Sequence, residues 1–274
     1  MTEIIPDELH PARIIELCGR GRFGTTAIFF CSVDSTNSAA ASMAAGLPEG
    51  SIILAGRQTD GRGRKGRDWY SSTDGSIVVS IILKPQADPV TLTCLLALSA
   101  ADAIEAEAPE VVVDIKWPND IYSGGRKLAG ILAERSGGDV VLGIGLDVND
   151  DADDFPGEIS GLAVSMKILA GRSFDRGLLL TSLLRSFEKN YMRWENEGFS
   201  IFRFDLENRL LWKGMRVSLD SGDEVVTGSL EGLTDEGFVR ISSDGRERIF
   251  SSGDLTLADS IDSSGNGREH GYDR

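Results

Sequence analysis

Gly61-Arg62-Gly63-Arg64-Lys65-Gly66-Arg67 concentrates four cations and three glycines in one short run. Guanidinium groups present forked donors that match the oxygens of a phosphate or a carboxylate. The interleaved glycines allow dihedrals and a close backbone approach that a Cβ would forbid. Trp69, just beyond, offers a face on which a base can stack. The Gly-x-Gly-x-x-Gly spacing also matches a dinucleotide-binding turn. That turn needs a strand before it and a helix straight after it, because the helix N-terminus receives the pyrophosphate. SIILAGRQ ahead of the loop reads as a strand, but DWYSSTDG behind it reads as turn and leads into the β-branched run SIVVSIILKP, a second strand ending at Pro85. The dinucleotide reading fails on this context. What remains is a loop for another small anion or, more plainly, a solvated basic loop.

The rest of the composition narrows the chemistry. The chain has 274 residues and a net charge of −15, so its cations are scarce overall and concentrated locally. A general nucleic-acid binder carries a basic surplus, and this distribution suits one small anion better than a polyanion. The two histidines, His10 and His270, lie near the two ends, which argues against a Ser-His-Asp triad, a Cys-His pair or a histidine metal site in the central chain. Cys18, Cys31 and Cys94 are odd in number and widely spaced, pointing to a reducing compartment rather than a disulfide framework or zinc site. No apolar run reaches the length of a membrane span, and the acidic, proline-containing N-terminus does not read as a secretion signal.

These groups must be positioned by alternating strands and helices. Residues up to about 24 read as a helical lead-in, and FFCSVDS as a strand. An Ala-rich helix follows, capped near Asp34 and Ser35 and stopped at Gly46. Pro89 to about Ala108 has the content of a buried helix, VVVDIKW that of a strand, and PNDIYSGGR that of a loop. KLAGILAER and DVVLGIGLDV read as two strands joined by Ser136-Gly137-Gly138. Leu180, Leu183, Leu184, Phe187, Tyr191 and Trp194 follow the spacing of an amphipathic helix. A further helical stretch leads to Trp212, and MRVSLDSG, EVVTGSLEGL, GFVRISSDG and RERIFSS form the pattern of a small β-barrel. The Gly/Ser/Asp-rich end reads as a disordered tail.

Five stretches taken together resemble the biotin protein ligases: DSTN at Asp34–Asn37, GRGRKGR at Gly61–Arg67, KWPND at Lys116–Asp120, KLAGIL at Lys127–Leu132 and GIGLDVN at Gly143–Asn149. They occur in the family's order, and the resemblance runs from about residue 28 to 258. It implies an α+β fold, a mixed sheet with helices related to class II aminoacyl-tRNA synthetases, followed by a small SH3-like β-barrel. The implied divisions are a lead-in over 1–27, a catalytic domain over 28–210, a barrel over 211–258 and a tail over 259–274. Only 33 residues precede Asp34, too few for the DNA-binding domain of some relatives, so the ligase-only type is expected.

The implied reaction joins biotin to ATP as biotinyl-5′-AMP, then passes biotin to a lysine of a biotin carboxyl carrier domain. Two anions must meet in the first step, which demands concentrated positive charge. On this resemblance Ser35, Thr36, Asn37 and Gln58 would hold biotin, although helix capping is the commoner use of the first three. Gly61, Gly63, Gly130, Gly143 and Gly145 would leave room for the ligand and its covering loop. Arg62 and Arg64 would sit on the carboxylate and α-phosphate, and Lys127 where the two meet, as an electrostatic rather than a covalent catalyst. Trp69, Lys116, Asn119 and Asn149 would serve ATP, with Trp69 equally readable as a core aromatic. Asp120 would bind magnesium or align a neighbouring cation. Many relatives carry Asn where this chain has Asp147, which is therefore either a second magnesium ligand or turned away from the site. A cytoplasmic protein without nucleic-acid or membrane partners is expected, with a homodimer admissible. A lipoate or octanoate ligase of the same fold, and a non-catalytic biotin-binding sensor, remain as alternatives.

Overall fold

The computed structural model describes residues 5–71, 75–84 and 89–258. Pro85 and the expected tail lie outside them. After a 3-10 turn at Asp7–Leu9 come α1 (Pro11–Cys18), β1 (Ala27–Phe30), α2 (Thr36–Met43), β2 (Ile52–Ala55), β3 (Ser76–Leu83) and α3 (Pro89–Glu107). Then follow β4 (Asp114–Lys116), β5 (Asp120–Ser123), β6 (Arg126–Ser136), β7 (Asp139–Asp147), α4 (Met166–Ala170), α5 (Arg176–Glu197) and α6 (Arg203–Asn208). The C-terminal strands are β8 (Arg216–Asp220), β9 (Val225–Leu233), β10 (Val239–Ser243), β11 (Arg246–Phe250) and β12 (Asp254–Leu257).

β1 to β7 form one seven-stranded sheet in the order β1-β2-β3-β7-β6-β5-β4, parallel only between β1 and β2. β8 to β12 form an antiparallel five-stranded sheet in the order β11-β10-β9-β8-β12. The fold is thus the α+β, mixed-sheet arrangement with a small C-terminal β module. Two readings need correction. PNDIYSGGR is not all loop, because Asp120–Ser123 pairs with both β4 and β6. The C-terminal module has a fifth strand, β12, whose short DLTL segment carries little hydrophobic signal but pairs along β8.

Strand alternation decides which residues face which layer. On β3 the odd positions Ile77, Val79, Ile81 and Leu83 enter the main core with α3 and α5. On β7 the even positions Val140, Leu142, Ile144 and Leu146 do the same. The opposite faces carry Ile82 and Val141, which pack under Ala39, Ala40 and Ala44 around α2. The small side chains of that helix let it lie close to the sheet, and the rest of the same face stays open.

Helix ends are fixed locally. The Asp175 side chain accepts from Leu178 N at the start of α5, and Gly198 at its end takes φ of 81°, a left-handed value that favours glycine. α2 is capped differently from the expectation. Ser35 is its N-cap residue but makes no side-chain cap bond. Gln58, beyond the end of β2, accepts through Oε1 from Thr36 N at 2.8 Å and Thr36 Oγ1 at 3.1 Å. A glutamine distant in sequence thus satisfies an orphan N–H of the helix.

Candidate active site

The open part of the sheet is the floor of a cleft of about 1050 Å³. The strand register fixes the rows of this face, the last of which lies under and beside α2, beyond the cleft lining. Ser76 faces Asp147; Val78 faces Gly145, which faces Gly130; Ser80 faces Gly143, which faces Leu132; and Ile82 faces Val141, which faces Glu134. Three glycines in adjacent rows leave a depression where ordinary strands would fill the space. A Cβ on Gly145 would lie 2.2 Å from the Trp69 indole, and one on Gly143 would lie 2.2 Å from Asn37 Oδ1.

Lys127 reaches this floor because β6 is bulged. Ile121 pairs with Ala129, yet Tyr122 pairs with Lys127, leaving Leu128 as an extra residue. Along β6, Ala129 and Ile131 face the core and Gly130 and Leu132 the cleft. Regular alternation would send Lys127 to the core side. The bulge turns it over, so that a Cβ on Gly130 would meet Lys127 Nζ at 3.3 Å. Leu128 takes the core side instead and is fully buried. Lys127 Nζ lies 2.9 Å from Asp120 Oδ1 and 5.5 Å from the Trp69 ring centroid.

The polar end of the cleft is built from α2 and the strands beneath it. Buried Asn37 receives a hydrogen bond from Ser80 Oγ on Oδ1 at 2.6 Å, and Ser80 also lies 2.8 Å from Thr36 Oγ1. Asn37 Nδ2 donates to Glu134 Oε2 at 2.8 Å and Leu132 O at 3.3 Å. Ser35, Thr36, Asn37 and Gln58 all line this end.

At the other end, Asn119 accepts from Arg64 Nη1 at 3.0 Å and donates to Asp120 Oδ1 and Ile131 O. Lys116 lies 5.7 Å from the Tyr122 ring centroid and 5.2 Å from that of Trp212. Burial lowers the Lys116 pKa more than Asp120 raises it. Asp147 is buried, and Ser76 Oγ lies 3.3 Å from its Oδ1. Burial first and the charge of Asp150 second push its carboxyl well above the usual range. Asp120 is engaged by Lys127. No group of three or more His, Cys, Asp or Glu side chains able to hold a metal occurs among the described residues.

The basic loop spans the cleft, with a 3-10 turn at Arg64–Gly66 and a bridge between Arg62 and Asp68. No α-helix follows it among the described residues before β3. Arg62 and Arg64 point apart. Arg62 Nη2 donates to Ser38 Oγ at 3.0 Å and pairs with Glu134 at 3.3 Å, at the polar end. Arg64 reaches Asn119 and, just before β12, Gly253 O at 3.1 Å. The expectation that both meet at one anionic centre beside Lys127 is not the arrangement here, because Glu134 draws Arg62 away. Asn149 also departs from expectation. Its amide donates to Phe174 O at 2.8 Å and accepts from Phe174 N at 2.9 Å, so it clamps the approach to α5 and does not line the cleft. Gly61 is likewise not a lining residue; its O accepts from Trp69 N at 2.8 Å, setting the base of the loop.

Three contributors escaped the sequence reading. Ser80 carried a usable signal, a hydroxyl inside an apolar strand. Glu134 and Asp254 carried none, since each reads as an ordinary surface acid. Asp254 lies 2.9 Å from Lys65 and 3.6 Å from Arg64, and also pairs with Arg67. Burial alone would raise its carboxyl, but the hydrogen bond from Lys65 and the charges of Arg67, Arg64 and Lys65 outweigh it and hold the pKa below the ordinary value. The tether is therefore complete above the unfolded pKa of about 4 and weakens as pH falls through the lower folded value. Asp254→Asn should make trypsin cut at Arg64, Lys65 and Arg67 at least about tenfold faster at neutral pH, with both sheets intact by circular dichroism. Unchanged cleavage would show that the carboxylate does not hold the loop.

The sequence matches the Biotin/lipoate A/B protein ligase family over residues 29–149 and the Biotin protein ligase C terminal domain over residues 214–256. The bifunctional ligase/repressor BirA of Bacillus spizizenii is 36% identical over 214 residues, covering 74% of this chain but 65% of the relative. The chain thus spans about two thirds of the length of that relative. The biotin–acetyl-CoA-carboxylase ligase of Mycobacterium tuberculosis is 34% identical, with 76% of this chain and 79% of the relative covered. Among solved structures, the biotin protein ligase from Aquifex aeolicus in complex with biotin and ATP is 32% identical, with a TM-score of 0.79, covering 86% of this chain and 99% of that one.

Proposed function

The chain belongs to the biotin protein ligases, and from that membership we propose that it adenylates biotin with ATP and transfers it to a lysine of a biotin carboxyl carrier domain. The observation that carries the reading is a glycine-floored cleft with a polar cluster at one end and Lys127 turned onto the floor near the other. Biotin's ureido ring would lie among Ser35, Thr36, Asn37 and Gln58, and its chain would run over Gly143 toward Lys127. A carboxylate there attacks the α-phosphorus of ATP and expels pyrophosphate. The acceptor amine then attacks the acyl carbon of the mixed anhydride, loses its proton and releases AMP.

Positive charge is what the first step needs, since carboxylate and phosphate repel each other. Lys127 would supply it at the junction, while Arg64 and Lys116 would serve the nucleotide phosphates and Asp120 would align Lys127. Trp69 would offer its ring to the nucleotide. Magnesium enters this scheme as part of the ATP substrate, which carries it largely on its own phosphates. We place the protein in the cytoplasm, acting as a monomer or a homodimer, with no nucleic-acid partner in the scheme. Its three cysteines are unpaired, and no helix among the described residues is long and apolar enough to cross a membrane.

Pyrophosphate exchange into ATP, with biotin, lipoate and octanoate offered separately, tests the reading. Exchange with biotin supports it, exchange with lipoate but not biotin overturns it, and biotin binding without exchange or transfer leaves only a sensor. Gly143→Ala should raise KM for biotin by about tenfold or more, roughly 1.4 kcal/mol, because the added methyl meets Asn37 Oδ1 inside the cleft. The melting temperature should fall as well, since the methyl must displace a buried amide held by Ser80, Glu134 and Leu132 O. An unchanged KM would move biotin off this floor.

A further inference from the structure

Glu134 stands on the same face of β6 as Gly130 and Leu132, just beyond the residues that line the cleft. At about 3.3 Å per residue it lies roughly 13 Å along the strand from Gly130. It receives two donors on one oxygen, Asn37 Nδ2 at 2.8 Å and Arg62 Nη2 at 3.3 Å. Because a carboxylate and a carbonyl oxygen only accept, Glu134 and Leu132 O together dictate which way the Asn37 amide is turned. Its NH2 must face them, and its oxygen must face the cleft above Gly143, where a Cβ would sit 2.2 Å away. Ser80 Oγ occupies one acceptor position of that oxygen. The second is left to a ligand N–H.

We propose that Glu134 is a positioning residue for substrate selection: it fixes Asn37 as an inward-facing acceptor for the N–H groups of a cyclic urea, and holds Arg62 over the same end of the cleft. The inference rests on the biotin-ligase reading and adds a source of discrimination within it. A fatty or dithiolane acid such as octanoate or lipoate carries no N–H at its far end and would leave the buried oxygen half satisfied. Sites built around a required hydrogen bond reject analogues that lack it far more strongly than apolar pockets do. Without Glu134 only the longer contact to Leu132 O holds the NH2, so the amide turns over more readily, presenting its NH2 to the ligand and losing both the acceptor and the discrimination. Arg62 would lose its ionic partner in the same change.

The two functions of Glu134 separate by substitution. Glu134→Ala removes both. Glu134→Gln keeps an oxygen that accepts from Asn37 but loses the charge that pairs with Arg62. Pyrophosphate exchange is measured over a range of biotin, desthiobiotin and octanoate, with melting curves as a check on folding. Glu134→Ala should raise KM for biotin and for desthiobiotin, which keeps the urea, by about tenfold or more. Its kcat at saturation should stay within about threefold of wild type, and its response to octanoate should not weaken, so selectivity falls by the same factor. Glu134→Gln should return KM to within about threefold of wild type. An unchanged KM in Glu134→Ala, a fall in kcat at constant KM, or a glutamine variant as poor in KM as alanine would each overturn the proposal. If the alanine variant fails to fold, Glu134→Lys against Glu134→Gln carries the test, with only lysine expected to raise KM. Wild-type protein without biotin-dependent exchange would remove the ligase reading itself, a result distinct from an active wild type insensitive to residue 134.

Discussion

Replacing Lys127 with methionine is expected to lower biotin-dependent pyrophosphate exchange by about 100- to 1000-fold at saturating substrates, the range seen when one preorganised charge-stabilising donor is lost. The methylenes of the side chain are retained, so packing against Trp69 and Gly130 changes little while the ammonium disappears. Asp120, mostly buried, would be left without its cation, and an unpaired buried carboxylate is itself destabilising. The double variant Lys127→Met with Asp120→Asn separates the two effects. It should recover thermal stability but not exchange. Lys127→Arg should recover little, because a planar guanidinium does not replace a compact ammonium beside the indole. Exchange within tenfold of wild type in the methionine variant would remove Lys127 from the chemistry.

Arg64→Gly is expected to release the activated intermediate about 100-fold faster. Two hydrogen bonds from a charged donor, to Asn119 and to Gly253 O, fix the loop to both halves of the molecule. Each is of the kind that contributes about 1.5–3 kcal/mol, and the proposed contact to the adenylate would be lost with them. Released biotinyl-5′-AMP would label accessible lysines of any protein present. Preforming the complex and chasing with unlabelled biotin measures the half-life, while label in added serum albumin measures escape. Retention equal to wild type, with albumin unlabelled, would show that the arginine neither covers nor holds the intermediate.

Much of this site was readable because its motifs are local. DSTN, GRGRKGR, KWPND and KLAGIL each place their polar groups within a few residues, so composition and order suffice to pick them out. Long-range pairing was not readable. Asn149 belongs to a motif and looks available, yet Phe174 occupies both ends of its amide. Gln58 caps a helix that begins 22 positions earlier in the chain. Asp254 reaches its three cations across 187 to 190 positions, by way of a strand too short to be recognised. The direction of Arg62 depends on Glu134, an acid with no local signature. β5 was hidden because its strand character comes from the neighbours on both sides of it, not from its own sequence.

The extra residue in β6 has a further consequence. In an unbroken strand, positions three apart lie on opposite faces, yet Lys127 and Gly130 share one. What this stretch preserves is therefore a parity as well as a composition. Deleting Leu128 would leave both functional residues in the chain and every other motif untouched. It would also remove the bulge and leave Lys127 two positions from Gly130, so that plain alternation keeps the ammonium on the cleft side. Straightening the strand with Leu128 retained is what would deliver it to the side where Ala129 and Ile131 are buried. The bulge between this lysine and this glycine is as much a part of the site as either residue, and a chain with the same letters in an unbroken strand would lack it.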